Sequence, residues 1–209
     1  MARPIQADAE ATRLRILAEA STLFALHGQG GTTMRQIAAR AAVSMATVHH
    51  YFGGKAELYR ACIDATVDEI HGFRQQVEPT LSTAENITHG IEVVVRKSYR
   101  FCREHRFALR LLTRTIVDEG ELDAAPRDNV LLPYLDRGAA LLAPLLDQPL
   151  NKVRLALLSI NYMMVRFALN SAPELALITK VSEPNGETPE STIENYLVDA
   201  ACDLLGLAR

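Results

Sequence analysis

The chain has 209 residues, 48% of them hydrophobic, with 22 Lys/Arg against 25 Asp/Glu and a formal net charge of −3. That is enough apolar material for a core in one or two small domains. It excludes a transmembrane protein, because no hydrophobic run approaches the roughly 20 residues needed to span a bilayer. The N-terminus MARPIQADAEA lacks an apolar signal core. Cys62, Cys102 and Cys202 are odd in number and too far apart for a zinc knuckle or a redox pair. A cytoplasmic protein with reduced thiols is expected. The charge is uneven: residues 1–60 carry seven Lys/Arg against four Asp/Glu, and the remainder is acidic. A weakly basic head on an acidic body is compatible with nucleic-acid binding at one end.

In chain order, residues 1–9 read as a loose arm in which Arg3 could brush a phosphate backbone. A first helix is predicted from about Ala9 to His27, with Ile16, Ala20, Leu23, Phe24 and His27 as its apolar stripe. Gly28 caps it and Gly30-Gly31 finish the turn. This GQGG cluster has no preceding strand and no following Gly-Lys-Ser/Thr, so it is not read as a phosphate cradle.

Two short helices joined by a tight turn are predicted next, Thr33–Ala41 and Met45–Phe52, each with a hydroxyl residue able to cap it. Small side chains crowd their junction at Ala38, Ala39, Ala41, Ala42 and Ala46. Helices that cross steeply within a few residues require this, and the pattern points to a helix-turn-helix whose second helix enters the major groove of DNA. The polar residues of that helix, Thr47, His49, His50 and Tyr51, can all hydrogen-bond phosphates or base edges. Adjacent histidines on a helix point about 100° apart, so His49 and His50 are not read as metal ligands.

A long helix is predicted from Lys55 to about Val77, stopped by Glu78-Pro79. Beyond Thr80 come apolar helices near 83–104, 105–117, 129–146, 151–171 (with a continuation past Pro173 to Lys180) and 189–206. The loops are 118–129, with an acidic cluster of Asp118, Glu119, Glu121 and Asp123 read as solvated surface, and 182–191. The fold class is all-α. In VRLALLSINYMMVRFALNS and STIENYLVDAACDLLGL the apolar residues occupy more than one face, so each is buried on two sides.

From Thr12 to Asp64 the chain resembles the DNA-binding domain of the TetR family of bacterial transcriptional repressors. The matching residues are Ile16, Ala20, Phe24, Gly28, Thr33, Ile37, Ala38, Val43, Ser44, Tyr51, Phe52, Lys55, Leu58 and Tyr59. Where the family usually has Gly in the turn, this chain has Ala42; a left-handed backbone there would cost about 1 kcal/mol. The resemblance implies a helix-turn-helix domain at 1–54, a linking helix at 55–78, and a ligand-binding and dimerisation domain at 79–209. It also implies a homodimer formed through the last two long helices, bound to a double-stranded DNA operator and released by an unidentified small molecule, with no cofactor and no enzymatic activity. Thr33, Arg35, Met45, Ala46, Thr47, His49, His50, Tyr51 and Lys55 fall in register with DNA-contacting positions. Inward-facing candidates for a ligand pocket are Tyr99, Phe107, Tyr134, Tyr162, Met163, Arg166 and Phe167. Arg166 interrupts a very apolar helix, and a buried charge needs a partner. The alternative is an all-α small-molecule-binding or enzymatic protein whose head no longer binds DNA.

Overall fold

The structure, a computed structural model, describes residues 5–181 and 187–207, without the side chains of 5–7, 82, 83, 115 and 117–119. Arg3, the side chains of Asp118 and Glu119, and part of the 182–191 loop therefore lie outside the described residues. Among those described, every regular element is helical. Packing divides the chain into two units: residues up to Glu69 together with Phe107–Pro126, and Ile70–Arg106 together with residues from Arg127 onward.

In the first unit, α1 (Ile5–Gly31) buries Ile16, Leu17, Ala20, Leu23 and Phe24. Its regular part ends at Gly28, whose φ of 71° and ψ of 172° are open to glycine alone at little cost. A Cβ at that position would also lie 2.8 Å from the guanidinium of Arg114, on α6 (Arg106–Glu119). The Thr32 hydroxyl then donates to the Leu23 carbonyl at 3.1 Å, tying the turn back to the helix.

Next comes α2 (Met34–Arg40), held by a capping box: the Thr33 hydroxyl accepts from Gln36 N–H while the Gln36 side chain accepts from Thr33 N–H. At its other end Val43 N–H donates to the Ala38 carbonyl (3.0 Å) and Ala42 N–H to the Ala39 carbonyl (3.2 Å). This is a Schellman closure with Ala42 as its left-handed residue, at φ 51°. Arg15 Nε donates to the Ala41 carbonyl at 2.8 Å, placing a cation at the negative end of α2. Because the Ala42 methyl is exposed, Ala42→Gly removes backbone strain without opening the core. Relief of about 1–2 kcal/mol, less the added freedom of the unfolded chain, leaves an expected gain of about 0.5–1 kcal/mol. Urea unfolding followed by circular dichroism measures it, and a loss of stability would contradict the strain argument.

Ser44 caps α3 (Met45–Phe52), accepting from Thr47 N–H. Val48 and Phe52 point inward beside Ile37, Ala38 and Ala41. The next helix, α4 (Lys55–Thr83), adds Leu58, Cys62 and Ile63 to this core, and Tyr59 meets Phe24 edge-on at 5.2 Å. Burial pushes the Cys62 thiol up to about 11, which makes it an inert packing group. Leu109, Leu111 and Leu112 of α6 are buried as well, and a short turn, α7 (Ala124–Pro126), follows.

Against expectation, α4 does not stop at Glu78-Pro79 but continues through Pro79 to Thr83. Pro79 has no N–H to give the Gln75 carbonyl, so the helix continues past it with one backbone hydrogen bond missing near its end.

In the second unit, α5 (Ile87–Glu104) begins later than its apolar pattern suggested, because the Asn86 side chain caps it by accepting from His89 N–H. The helix expected over 129–146 is divided. A wide π-turn, Arg127–Leu131, precedes α8 (Leu132–Leu146); Pro133 has no N–H to continue regular pairing across the join. The helix expected to run past residue 171 is likewise broken. α9 (Leu150–Leu169) ends at extended Asn170, and Ser171 caps a separate α10 (Ala172–Thr179), with Pro173 in its first turn. Finally, α11 (Pro189–Leu205) starts from a capping box between Thr188 and Ser191.

Helices α5, α9 and α11 pack on one another, α8 packs on α9, and α10 on α11. A polar network joins α5 to α11: Glu194, largely buried, accepts from Arg100 at 2.7 Å and from Arg96 at 3.4 Å. Arg103 donates to Glu190 (3.1 Å) and to the carbonyls of Ala168 (3.2 Å) and Asn170 (2.6 Å) at the end of α9. All three cysteines are free and buried. Among the described residues no helix is long and apolar enough to cross a membrane, and no group of His, Cys, Asp and Glu could hold a metal ion.

Candidate nucleic-acid interface

With Val48 fully buried and Phe52 inward, the helical period sends Met45, Ala46, His49 and His50 to the exposed side of α3, with Thr47 and Tyr51 on its flank. Met45 is 46% exposed, an apolar side chain offered to solvent at the helix start. The Thr47 hydroxyl lies 2.8 Å from that of Ser44, and the Tyr51 ring stands edge-on to His50 at 5.4 Å. Gly53, at φ 74°, ends the helix. His49 Nδ1 bonds the Gly53 carbonyl, so that nitrogen must carry the proton. In the neutral ring the outward Nε2 is then an acceptor. From Ala41 to Gly54 the chain has no Asp, Glu, Lys or Arg. The exposed face of α3 is thus uncharged and built for hydrogen bonding and methyl contact.

The charges sit beside it. Arg35 is exposed on α2 and makes no ion pair among the described residues. Lys55 begins α4, and its Nζ donates to the Thr32 carbonyl at 3.2 Å, which holds the ammonium near the start of α2. A cation at a helix N-terminus opposes the helix dipole, so Lys55 does not stabilise α4 electrostatically; the Glu57 carboxylate accepts from Gly54 N–H at that end. Thr33, one of the residues expected at the interface, spends its hydroxyl on Gln36, donating at 2.9 Å and accepting at 3.2 Å. Arg40 is exposed too, but pairs with Glu19 at 2.6 Å. The nine interface candidates thus lie between Thr33, the cap of α2, and Lys55, the first residue of α4.

The pocket candidates are scattered. Tyr99 is 1% exposed, and burial pushes its phenol up to about 12. Its hydroxyl has no hydrogen-bond partner among the described residues. Phe107 belongs to the first unit. Met163 is half-buried, and Phe167 meets Tyr196 edge-on at 5.9 Å. Tyr162 is 54% exposed and Arg166 is exposed, its guanidinium donating to Asn170 Oδ1 at 2.7 Å. The expectation that these two point inward is corrected: Val153, Ala156, Leu157, Ile160 and Met164 take the inner face of α9, and helical phase puts 155, 162 and 166 on the other side. Tyr134 lies beneath the Arg74 guanidinium, 5.0 Å from the ring centroid. Sequence reasoning missed Arg74, because a single arginine in a long amphipathic helix carries no motif.

Residues 16–62 match the model of the tetR family of bacterial regulatory proteins. Over 63 residues the chain is 40% identical to the HTH-type transcriptional regulator SrpR of Pseudomonas putida, covering 30% of each chain. Over 63 residues it is 38% identical to the uncharacterised HTH-type transcriptional regulator TtgW of the same species, covering 30% of this chain and 47% of that one. The match thus spans less than half the length of either curated relative. Similarity of fold extends over nearly the whole chain. A TetR-like transcriptional regulator from Rhodococcus sp. RHA1 aligns with a TM-score of 0.63 at 19% identity, covering 96% of both chains. A tetR-family transcriptional regulator from Streptomyces coelicolor aligns with a TM-score of 0.60 at 21% identity, covering 93% of this chain and 80% of that one. The all-α fold read from the sequence is thus the fold of these solved structures, and its helix-turn-helix head, residues 16–62, is that of the tetR family of bacterial regulatory proteins.

Proposed function

We propose that the protein is a homodimeric repressor that binds an inverted-repeat operator and is released from it by a small organic ligand. The observation that carries this reading is the uncharged, hydrogen-bonding face of α3, flanked in the chain by the exposed Arg35 and the half-buried Lys55. Flanking cations position a protein on phosphate, and neutral polar groups read base edges. His49, with an outward acceptor nitrogen, suits the amino group of adenine or cytosine in the major groove. Met45, Ala46 and Thr47 suit close approach and thymine-methyl contact.

The dimer is supported by the second apolar faces of α9 and α11. Leu155 is 62% exposed, and Tyr162, Tyr196 and Leu204 also face outward, although the opposite sides of both helices are already in the core. A two-fold pair presents two reading helices to half-sites about 34 Å apart. The release step rests on α4, which starts at Lys55 in one unit and ends at Thr83 in the other. A ligand that prefers a different setting of this helix would change the separation of the two heads, and can do so only by its differential affinity for the two states.

Retention of duplex from fragmented genomic DNA, followed by sequencing, tests the reading. Recovery of an inverted repeat supports it; recovery of no duplex at low ionic strength favours an all-α ligand-binding protein with a silent head. With the recovered site in hand, Lys55→Ala should weaken binding to all sequences alike and reduce the salt slope by about one per head. An unchanged slope in a filter-binding titration would remove Lys55 from the phosphate contacts. His49→Ala should relax the choice at one base position per half-site, by about 1–3 kcal/mol of discrimination. Selection from random DNA that returns the parental consensus would count against it.

A further inference from the structure

Arginines in the second unit generally have acidic partners. Arg96 and Arg100 pair with Glu194, Arg103 with Glu190, Arg127 with Asp128 and Arg154 with Asp136. Arg166 turns instead to the Asn170 side chain, and Arg74 and Arg137 have neither kind of side-chain partner among the described residues. Arg74, half-buried on α4, gives one hydrogen bond to the Val130 carbonyl at 2.7 Å and lies over the Tyr134 ring. A guanidinium has five N–H groups, and Arg74 meets no carboxylate within ion-pair distance among the described residues. Arg137, one turn along α8 from Tyr134, makes no ion pair or hydrogen bond among them, and its neighbour Asp136 pairs with Arg154. The Tyr134 hydroxyl likewise has no hydrogen-bond partner among them.

We propose that Arg74, Arg137 and the Tyr134 hydroxyl anchor the carboxylate of an organic effector with an apolar, aromatic-sized body. The inference rests on the ligand-responsive reading above and names the chemical class of that ligand. Three observations converge on it. Two guanidiniums lie within electrostatic reach of each other, and loss of water followed by Arg137 presses Arg74 below its ordinary range, against partial support from Tyr134 and Glu78. A desolvated cation next to a second cation gains most from a bound anion, and planar forks match a carboxylate in bidentate fashion. Second, burial pushes the Tyr134 phenol up to about 12, so the hydroxyl is a proton donor at neutral pH. Third, an aromatic stack borders the same helices. The Phe73 and Phe101 rings lie 4.2 Å apart and nearly parallel, and Phe101 stacks on His105 at 4.2 Å. Phe73 precedes Arg74 in the chain. The Val130 carbonyl belongs to the π-turn Arg127–Leu131, the kind of irregular turn that recurs at functional sites.

The test is isothermal titration of the full chain with a panel of aromatic and long-chain carboxylates, each beside its carboxamide, and with inorganic phosphate. At least one carboxylate is expected to bind about tenfold or more tightly than its carboxamide, that preference disappearing in Arg74→Gln and falling severalfold in Arg137→Gln and Tyr134→Phe. Arg137 is exposed, so its variant keeps the test alive if Arg74→Gln does not fold. Equal binding of acid and amide, a preference that survives Arg74→Gln, binding of phosphate alone, or binding of no carboxylate would each overturn the proposal. Duplex retention by the unliganded variants is measured alongside. If the carboxylate preference holds but no duplex is retained, the regulator reading falls and the site stands; if duplex is retained but acid and amide bind alike, the reverse is true.

Discussion

Replacing Leu155 and Tyr162 together by glutamate is expected to leave a folded single copy that has lost about 10²–10⁴-fold in affinity for the proposed inverted-repeat operator. Both side chains are more than half exposed on α9, whose core face is already complete with Val153, Ala156, Leu157, Ile160 and Met164. Their removal therefore takes little from the subunit itself, as surface substitutions usually stay within about 0.5 kcal/mol. A two-fold interface uses the same patch of both subunits, so the two substitutions would bring four carboxylates into one apolar patch. The loss of affinity follows from linkage: in a dimer the second head binds at an effective concentration near the millimolar range, and a lone head forfeits that gain. Analytical ultracentrifugation gives the mass and a gel-shift titration gives the affinity. A variant that remains a dimer would place the interface elsewhere. A single copy with parental affinity would mean that one head suffices, which would undo the inverted-repeat model.

The second large effect concerns Arg103. Arg103→Ala should destabilise the second unit by about 3 kcal/mol, because it orphans two buried carbonyls as well as breaking an ion pair. The acceptors belong to Ala168 and Asn170, which are 0% and 2% exposed, at the end of a 20-residue helix whose last carbonyls need outside donors. For a protein of this size that corresponds to a fall in Tm of roughly 6–12 °C. Arg103→Lys keeps the charge but loses the fork, so it should recover only part of the loss. Calorimetry of the three proteins decides the matter; equal stability of the alanine and parental chains would show that those carbonyls find other partners.

What could be read from the sequence was local. Thr33 with Gln36, Ser44 and Gly28 each act within a few residues of themselves, so the head's helices were legible to within a residue or two apart from the start of α1. Ala42 was legible for the same reason, since a turn that wants glycine announces its substitute. The second unit was legible in its helical content but not in its breaks. Pro79 sits inside a helix and Asn170 ends one, and neither position carries the usual signal for its role. The polar contacts were not legible at all. Arg103 meets partners 65 to 87 residues away and Arg74 one 56 away, and no short-range pattern encodes such pairings. Tyr162 was misplaced because a helix apolar on two sides does not declare which side meets its own core.

The absence of fixed charge from Ala41 to Gly54 bears on how a target is found as well as how it is held. Travel along random DNA draws on cations, and stopping draws on matched base edges. In the reading proposed for α3 those two tasks fall to different side chains, so changes confined to positions 45–50 are expected to redirect the protein to another address while leaving its scanning of the genome as it was.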